Sequence, residues 1–293
     1  MALLVQTGAR KNHRKNLIAR SLPNGEHRAH PTPEHKMRTL FALIVFSCTL
    51  TCLLASGPAC AENEAPPLVY GYVQLMNNYV SRGLSQSVGQ ASAQAEIDVN
   101  AGAGPYLNLG AVRMAWIDKL YPGDSVHVEI DGVAGYRVLF ADGQAKFGVL
   151  RMQFPGTYAP QNPLLNTTEV FGYVAWKGLS ARLNVSVTDA FATPNSRGAW
   201  YLDLNAVRPL AEGWSWLAHY GRRQSRGINP VTGADNAKLF SYNDYKLGLA
   251  RDFGHGWSLT AFYSYADTDP NLFTLNNYNV GGGHVSVILE KDF

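Results

Sequence analysis

Two pairs of acidic residues stand two positions apart in stretches that alternate between polar and apolar side chains. Glu96 and Asp98 form one pair, and Glu129 and Asp131 form the other. Because successive side chains of a β-strand point to opposite faces, residues two apart share one face. Carboxylates placed in this way could line a water-filled interior and act on ions or polar solutes passing through it.

Further charged residues fall on the same polar parity of neighbouring segments. They are Arg113, Lys146, Glu169, Arg182, Asp203 and Lys246. Acidic and basic walls that face each other across a lumen would create a transverse field, which orients solutes and sets ion preference. The alternative is that these charges pair with one another and fill the interior.

The alternation that carries these charges recurs in about twelve segments of roughly ten residues, long enough to cross a bilayer when tilted. The clearest segments are 92–101, 126–136, 179–188 and 257–265. A helix would repeat near 3.6 residues instead. The pattern predicts an all-β, antiparallel up-and-down transmembrane β-barrel of about twelve strands at residues 68–293, with both termini in the periplasm. That size lies between side-chain-filled and open barrels, so a narrow or plugged pore is expected.

Connections and aromatic residues support the same prediction. Links after even-numbered strands are short, whereas links after odd-numbered strands are mostly long, as at 154–167, 222–239 and 267–281. The apolar parity predicts one aromatic belt at the short-turn end and a second at the long-loop end, because aromatic rings prefer the membrane interfaces. The first belt comprises Tyr106, Tyr136, Trp176, Trp214, Trp257 and Phe293, and the second comprises Tyr79, Trp116, Trp200, Tyr220 and Tyr265.

The amino-terminal part resembles a targeting segment. Lys36 and Arg38 are followed by a compact apolar run and the small-residue sequence Ala59-Cys60-Ala61, which predicts a signal peptide at residues 37–61 that is cleaved after Ala61. A membrane anchor and a lipoprotein cleaved before Cys60 are the alternatives. Residues 1–36 are interpreted as an over-called start or an extended, disordered n-region, with translation beginning at Met1 or Met37, and residues 62–67 as a short periplasmic leader.

Removing the targeting segment changes the composition. The chain carries 25 Lys and Arg against 22 Asp and Glu, but eight of the basic and two of the acidic residues lie in 1–61. The remainder therefore has a net charge of about −3, and its charge does not favour nucleic acid as a partner. All three cysteines, Cys48, Cys52 and Cys60, leave with the signal peptide. No cofactor or metal site is predicted.

One stretch after the first strand resembles a known family. Residues 79–87 read Tyr-Val-Ser-Arg-Gly-Leu-Ser-Gln-Ser, in which Tyr79, Arg82, Gly83, Ser85 and Gln86 match the opening motif of TorF-type porins of proteobacteria. Weaker similarities continue across nearly all of residues 68–293. The resemblance implies a barrel in the bacterial outer membrane, in contact with lipid and lipopolysaccharide, with the motif in the first external loop.

These observations favour a passive, narrow pore for small hydrophilic solutes or ions. A structural or adhesive barrel acting through its external loops is the second possibility. The third, an outer-membrane hydrolase, would need a nucleophile and a base, for which Ser215 with His219, or His127 beside Glu129 and Asp131, are the candidates.

The last segment predicts an insertion signal. Val285, Val287, Leu289 and Phe293 share the apolar parity, and the chain ends on that aromatic residue. We expect this strand to be recognised by the barrel-assembly machinery. Deletion of Phe293 should therefore leave unassembled protein in the periplasm, measured as loss of the heat-modifiable form on gels. Normal assembly of the deletion variant would contradict this role.

Overall fold

The computed structural model describes residues 69–100 and 102–293. The predicted signal peptide at 37–61, the preceding segment 1–36 and the leader at 62–67 lie outside the described residues. Within the described part of the chain, no helix is both long and apolar enough to cross a membrane.

Twelve antiparallel strands hydrogen-bond in one closed ring, which confirms the predicted fold class. In ring order the strands are β1 (Val69–Met76), β16 (Gly282–Asp292), β13 (Trp257–Ala266), β12 (Tyr242–Gly254), β11 (Trp214–Gln224), β10 (Trp200–Ala211), β9 (Leu179–Ser186), β8 (Thr167–Trp176), β7 (Gly143–Gln153), β6 (Val128–Phe140), β5 (Gly104–Arg113) and β4 (Ser92–Asn100). Strand β1 closes the ring on β16, with Tyr72 opposite Asp292 and Met76 opposite Ile288. Closure pairs the backbone groups of every strand without leaving an edge, as a lipid environment requires.

Short and long connections alternate as the sequence predicts. The short connections with residues 102–103, 141–142, 177–178, 212–213 and 255–256 lie at the end that also holds both ends of the barrel segment. The six longer connections lie at the opposite end. They contain the hairpin of β2 (Val80–Ser81) and β3 (Leu84–Ser85), the short helices Trp116–Leu120, Asn236–Phe240 and Pro270–Phe273, the 3₁₀ turn Ala190–Ala192, and the hairpin of β14 (Thr274–Leu275) and β15 (Tyr278–Asn279).

The outer face of the barrel is apolar and the inner face is mostly polar. Large apolar side chains such as Leu75, Leu109, Leu247 and Val285 are exposed on the outside. Residues one position away along the same strands face inward, as the two-residue period requires. An exposed apolar surface of this extent would be unstable in water and suits lipid.

Strand β5 is the one described barrel strand for which the predicted inward-facing and outward-facing residues are exchanged. Arg113, predicted in the lumen, points outward and is exposed, where it donates hydrogen bonds to the Ala91 carbonyl and the Gln90 side chain. Tyr106, predicted in the outer belt, is buried inside the barrel, opposite Gly135 of β6. Both parities of this segment carry apolar residues, and a shift of one residue exchanges the two faces completely.

The aromatic belts were predicted correctly for eight of eleven residues. Tyr136, Trp176, Trp214, Trp257, Phe293 and Tyr265 are exposed on the outside, and Trp200 and Tyr220 are half-buried on the outward parity. Tyr106 and Trp116 are buried, and Tyr79 lines an internal cavity. Tyr79 and Trp116 were misplaced because they belong to loops that fold inward, where strand parity no longer applies.

The main apolar core lies among the long loops and in the part of the barrel next to them. The loops contribute residues that pack together: Leu84, Met114, Trp116, Ile117, Tyr121, Val126, Phe154, Leu165, Phe240, Phe273, Leu275 and Val280. Inward residues of the strands, among them Leu150, Met152 and Phe171, contact this cluster. The loops are therefore held in place over the barrel mouth by burial of apolar surface.

The outward assignment predicts a position-dependent cost of introducing charge. Leu247→Arg, near the middle of β12, should destabilise the barrel by about 2–4 kcal/mol, since a charge there must enter hydrocarbon. Urea unfolding in lipid vesicles measures the change. Val231→Arg is the matched control, because Val231 is 69% exposed in a loop, similar to the 65% of Leu247. Equal effects at the two positions would contradict the lipid-facing assignment.

Candidate functional site

The first long loop crosses the interior of the barrel. Strands β2 and β3 pair Val80 with Ser85 and Ser81 with Leu84, which leaves Arg82 and Gly83 as a two-residue turn. Both turn residues have positive φ, 49° at Arg82 and 75° at Gly83, as a type I′ hairpin requires. We call residues 80–85 the plug hairpin.

Arg82 reaches across the lumen from the loop after β1 to the opposite wall. Its two terminal nitrogens donate to the two carboxylate oxygens of Glu169 on β8, at 2.9 and 2.7 Å. Asn184 also donates to this carboxylate, at 2.7 Å. The guanidinium carbon lies 5.0 Å from the ring centre of Tyr201, and Tyr242 donates to the Arg82 carbonyl oxygen at 2.9 Å. A bidentate, buried ion pair fixes both the position and the orientation of the plug hairpin.

Gly83 allows the hairpin to pack closely against the wall. A Cβ atom at this position would overlap the side chain of Asp244 on β12, and it would lie 3.1 Å from the Cβ of Ala266 on β13. Its φ of 75° adds a second requirement for glycine, because L-residues rarely adopt that conformation. In the motif, Arg82 therefore places a positive charge inside the lumen, and Gly83 permits the close approach of the hairpin to the barrel wall.

The remaining motif residues hold the base of the loop. Ser85 and Ser87 are buried and donate to the Asn78 side-chain oxygen at 2.6 and 3.1 Å. Gln86 donates its backbone N–H to the Tyr79 carbonyl at 2.7 Å, and its own carbonyl accepts from Ala115 at 2.8 Å. These contacts connect the first loop to the second. Their role is structural, and it explains why small hydroxyl residues occupy these positions.

The plug hairpin divides the lumen into spaces above and below it. A cavity of about 110 Å³, here called the outer cavity, is lined by Tyr79, Arg82, Glu129, Asp131 and Arg223 together with aromatic residues of the loops. Two larger cavities, of about 280 and 260 Å³, lie on the side of the short turns. Burial, with the charges of Glu129 and Asp131, raises the pKa of Tyr79, so its phenol remains protonated.

Nine of the ten residues predicted to line the lumen lie on the inward parity of their strands. They are Glu96, Asp98, Glu129, Asp131, Lys146, Glu169, Arg182, Asp203 and Lys246. Arg113 is the exception, as described above. The structure does not bring all nine into one site: Glu129 and Asp131 border the outer cavity, Asp203 and Lys246 border the 280 Å³ cavity, and Glu96, Asp98 and Lys146 border the 260 Å³ cavity.

Pairing of charges accounts for part of the interior only. Among the described residues, the ion pairs of the lumen are Arg82 with Glu169, and His219 with Asp203 and Asp244. Glu96 instead accepts hydrogen bonds from Tyr72 and Asn108, at 2.7 and 2.6 Å. The interior is therefore neither fully neutralised by pairing nor divided into one acidic wall and one basic wall.

Sequence reasoning missed several inward charges. Arg137, Arg223, Asp244 and Glu290 all lie on inward parities, and Arg82 enters the lumen from a loop. The two-residue period identifies the first four, since Arg137 shares its parity with Glu129 and Asp244 shares its parity with Lys246. The position of Arg82 could not be inferred from periodicity, because the hairpin folds back into the barrel.

The structure does not bring together the two sets of residues that the sequence offered for a hydrolase. Ser215 and His219 lie four residues apart on one face of β11, which separates them by roughly 13 Å. His219 is held by Asp244 at 2.8 Å and by Asp203 at 3.2 Å. His127 is exposed outside β6, whereas Glu129 is buried. The hypothesis of a Ser215–His219 pair was wrong because residues on one strand face cannot converge.

Together, the apolar exterior, the closed ring and the charged, plugged interior define a porin-like β-barrel of the outer-membrane type. One family of proteins matches a continuous stretch of the chain that includes the whole barrel. Residues 60–293 match a family described as bacterial protein of unknown function (Gcw_chp), and the chain belongs to this family. No curated protein sequence matches the chain significantly.

Solved structures similar to the chain include porins and an outer-membrane channel. The KdgM porin, solved with disordered oligogalacturonate, is 9% identical with a TM-score of 0.45, covering 77% of this chain and 98% of the porin. The NanC porin is 9% identical with a TM-score of 0.47, covering 76% and 98%. The COG4313 channel from Pseudomonas putida F1 is 14% identical with a TM-score of 0.45, covering 82% and 100%. Similarity at this level identifies neither a solute nor a mechanism.

The packing of Gly83 gives a prediction about the plug hairpin. Gly83→Ala should displace the hairpin, because the added methyl overlaps Asp244 and the conformation is strained. Hydrogen exchange should accelerate at the amides of Ser85 and Gln86, which donate to the Val280 and Tyr79 carbonyls.

Gly233→Ala is the matched control for this effect. Gly233 has a similar φ of 69°, but a Cβ there meets nothing within 4 Å. Both variants carry the conformational strain, and only Gly83→Ala adds the overlap. If the Ser85 and Gln86 amides exchanged equally fast in the two variants, close packing of the hairpin would be refuted.

Proposed function

We propose that this protein is an outer-membrane channel for the passive diffusion of small hydrophilic solutes, restricted by the plug hairpin. The observation that carries the proposal is the arrangement of the lumen. Cavities lined by charged residues lie on both sides of a hairpin that Arg82 and Glu169 hold across the barrel. A structural barrel has no need for unpaired interior charges, which cost free energy unless they face water or a solute.

The proposal includes an orientation. Short turns and both ends of the barrel segment would face the periplasm, and the long loops would face outward, as in outer-membrane barrels generally. The resemblance of residues 79–87 to TorF-type porins supports the same assignment. Lipid and lipopolysaccharide would contact the apolar exterior, and the barrel-assembly machinery would act on the strand that ends at Phe293.

An adhesive or structural barrel is the second candidate, and one observation favours it. The loops share an apolar core that covers the long-loop end, so this end could present a rigid binding surface. In that case the plug hairpin would serve only to support the loops. The two functions differ in whether solutes pass through the interior.

Single-channel conductance in planar bilayers distinguishes these functions. The protein should show stepwise currents, because cavities lined by charged residues lie on both sides of the plug hairpin. Replacing Ser81–Leu84 by Gly-Gly should increase the conductance severalfold, since the hairpin occupies space inside the lumen between these cavities.

The matched control replaces Val231 and Thr232 by Gly-Ser in an exposed loop tip, where both residues lie outside the lumen. That variant should conduct like the parent protein. A folded barrel that carries no current, with or without the plug hairpin, would overturn the channel and favour the adhesive barrel. Folding is verified for each variant by its altered gel mobility before and after heating.

A further inference from the structure

Several ionisable side chains that line the outer cavity make no hydrogen bond or ion pair within the described part of the chain. Glu129 is 8% exposed and lines this cavity, and among the described residues its carboxylate makes neither a hydrogen bond nor an ion pair. Asp131, two residues further along β6, also borders the cavity, and its Oδ1 atom lacks a hydrogen-bond partner. Buried carboxylates left in this state are costly, so a cationic group is the partner this wall would accept.

The opposite wall carries an unpaired cation. Arg223 on β11 is 7% exposed and lines the same cavity, and within the described part of the chain its guanidinium donates no hydrogen bond and forms no ion pair. Its guanidinium carbon lies 5.3 Å from the ring centre of Phe191. Strands β6 and β11 stand five places apart in the ring of twelve, so they face each other across the lumen. Arg223 would therefore accept an anionic group at the pole opposite Glu129 and Asp131.

Arg82 also lines the outer cavity. Its guanidinium is already engaged by both oxygens of Glu169. Of the charged residues that line the outer cavity, this leaves Glu129 and Asp131 on one wall and Arg223 on the other. A solute with a cationic end and an anionic end matches this distribution better than a simple anion or cation.

The remaining lining restricts the size and character of the solute. Trp116, Phe154, Phe240 and Phe273 form apolar walls around the cavity. Its volume of about 110 Å³ equals that of roughly three to four water molecules. This space suits a molecule of a few carbon atoms, with a small apolar group between or beside its charged ends.

We infer that the outer cavity is a binding site for small zwitterions that carry an ammonium and a carboxylate group. The ammonium group binds to Glu129 and Asp131, and the carboxylate binds to Arg223. This inference rests on the proposed function, because it names the solute class that enters the channel from the long-loop end. The described residues contain no cluster of three metal-ligating side chains, so these carboxylates alone do not form a metal site.

Isothermal titration calorimetry on the folded full-length protein in detergent tests the site without any current measurement. The probes are L-alanine, propionate, which lacks the ammonium group, and ethylammonium, which lacks the carboxylate. L-Alanine should bind at least about tenfold more tightly than either probe with a single charge, because only alanine satisfies both poles.

Two near-isosteric variants test the poles separately. Glu129→Gln and Arg223→Gln should each weaken L-alanine binding by about tenfold to a hundredfold, as expected for the loss of one charged hydrogen-bond partner. Glu212→Gln, which removes a carboxylate from a short turn at the other end of the barrel, is the matched control and should bind as the parent does. Asp131→Asn provides a further variant should Glu129→Gln fail to fold.

The results separate this inference from the channel itself. A conducting protein that binds L-alanine no better than propionate or ethylammonium would overturn the zwitterion site while leaving the channel intact. A protein that binds L-alanine but carries no current would retain the site and lose the proposed function. Binding that is unchanged in both Glu129→Gln and Arg223→Gln would place the solute elsewhere and refute the assignment.

Discussion

Successive side chains of every barrel strand meet two different environments, lipid on the outside and the polar lumen on the inside. Leu107 and Leu109 of β5 are exposed on the outside, while Asn108 between them donates to Glu96 and Asp98 inside. The backbone groups are satisfied within the ring, so the side chains alone determine which face meets lipid and which meets water. Closure also fixes the lumen: once twelve strands are joined, the inward residues are brought together regardless of their separation in sequence.

The Arg82–Glu169 pair connects the loops to this framework. The Glu169 side chain is 3% exposed and the Arg82 side chain 17%, so both have lost most of their hydration. Two direct hydrogen bonds and a third from Asn184 compensate the carboxylate, which makes a buried ion pair tolerable. Removal of either partner would leave a charge buried without compensation. The plug hairpin is thus held by specific polar geometry, whereas the loops above it are held by apolar packing.

The sequence was sufficient for the barrel and for most of its inward charges, because both follow from a period of two. It failed at β5, where Tyr106 and Leu107 are equally compatible with either face and no local signal separates them. It also failed at Tyr79 and Trp116, since loop residues follow no parity. The candidate site was less predictable than the fold. The motif around Arg82 was recognised, but its partner Glu169 is 87 positions away, and only the folded chain brings them together.

The contrast between paired and unpaired interior groups is the basis for the proposed solute site. His219 is surrounded by Asp203 and Asp244, and Glu169 by Arg82 and Asn184, so these groups have their partners within the protein. The outer cavity differs because its carboxylates and Arg223 are buried, face a shared space and lack such partners. Buried ionisable groups that lack local partners cost stability, and the proposed solute, with one cationic and one anionic end, would supply those partners.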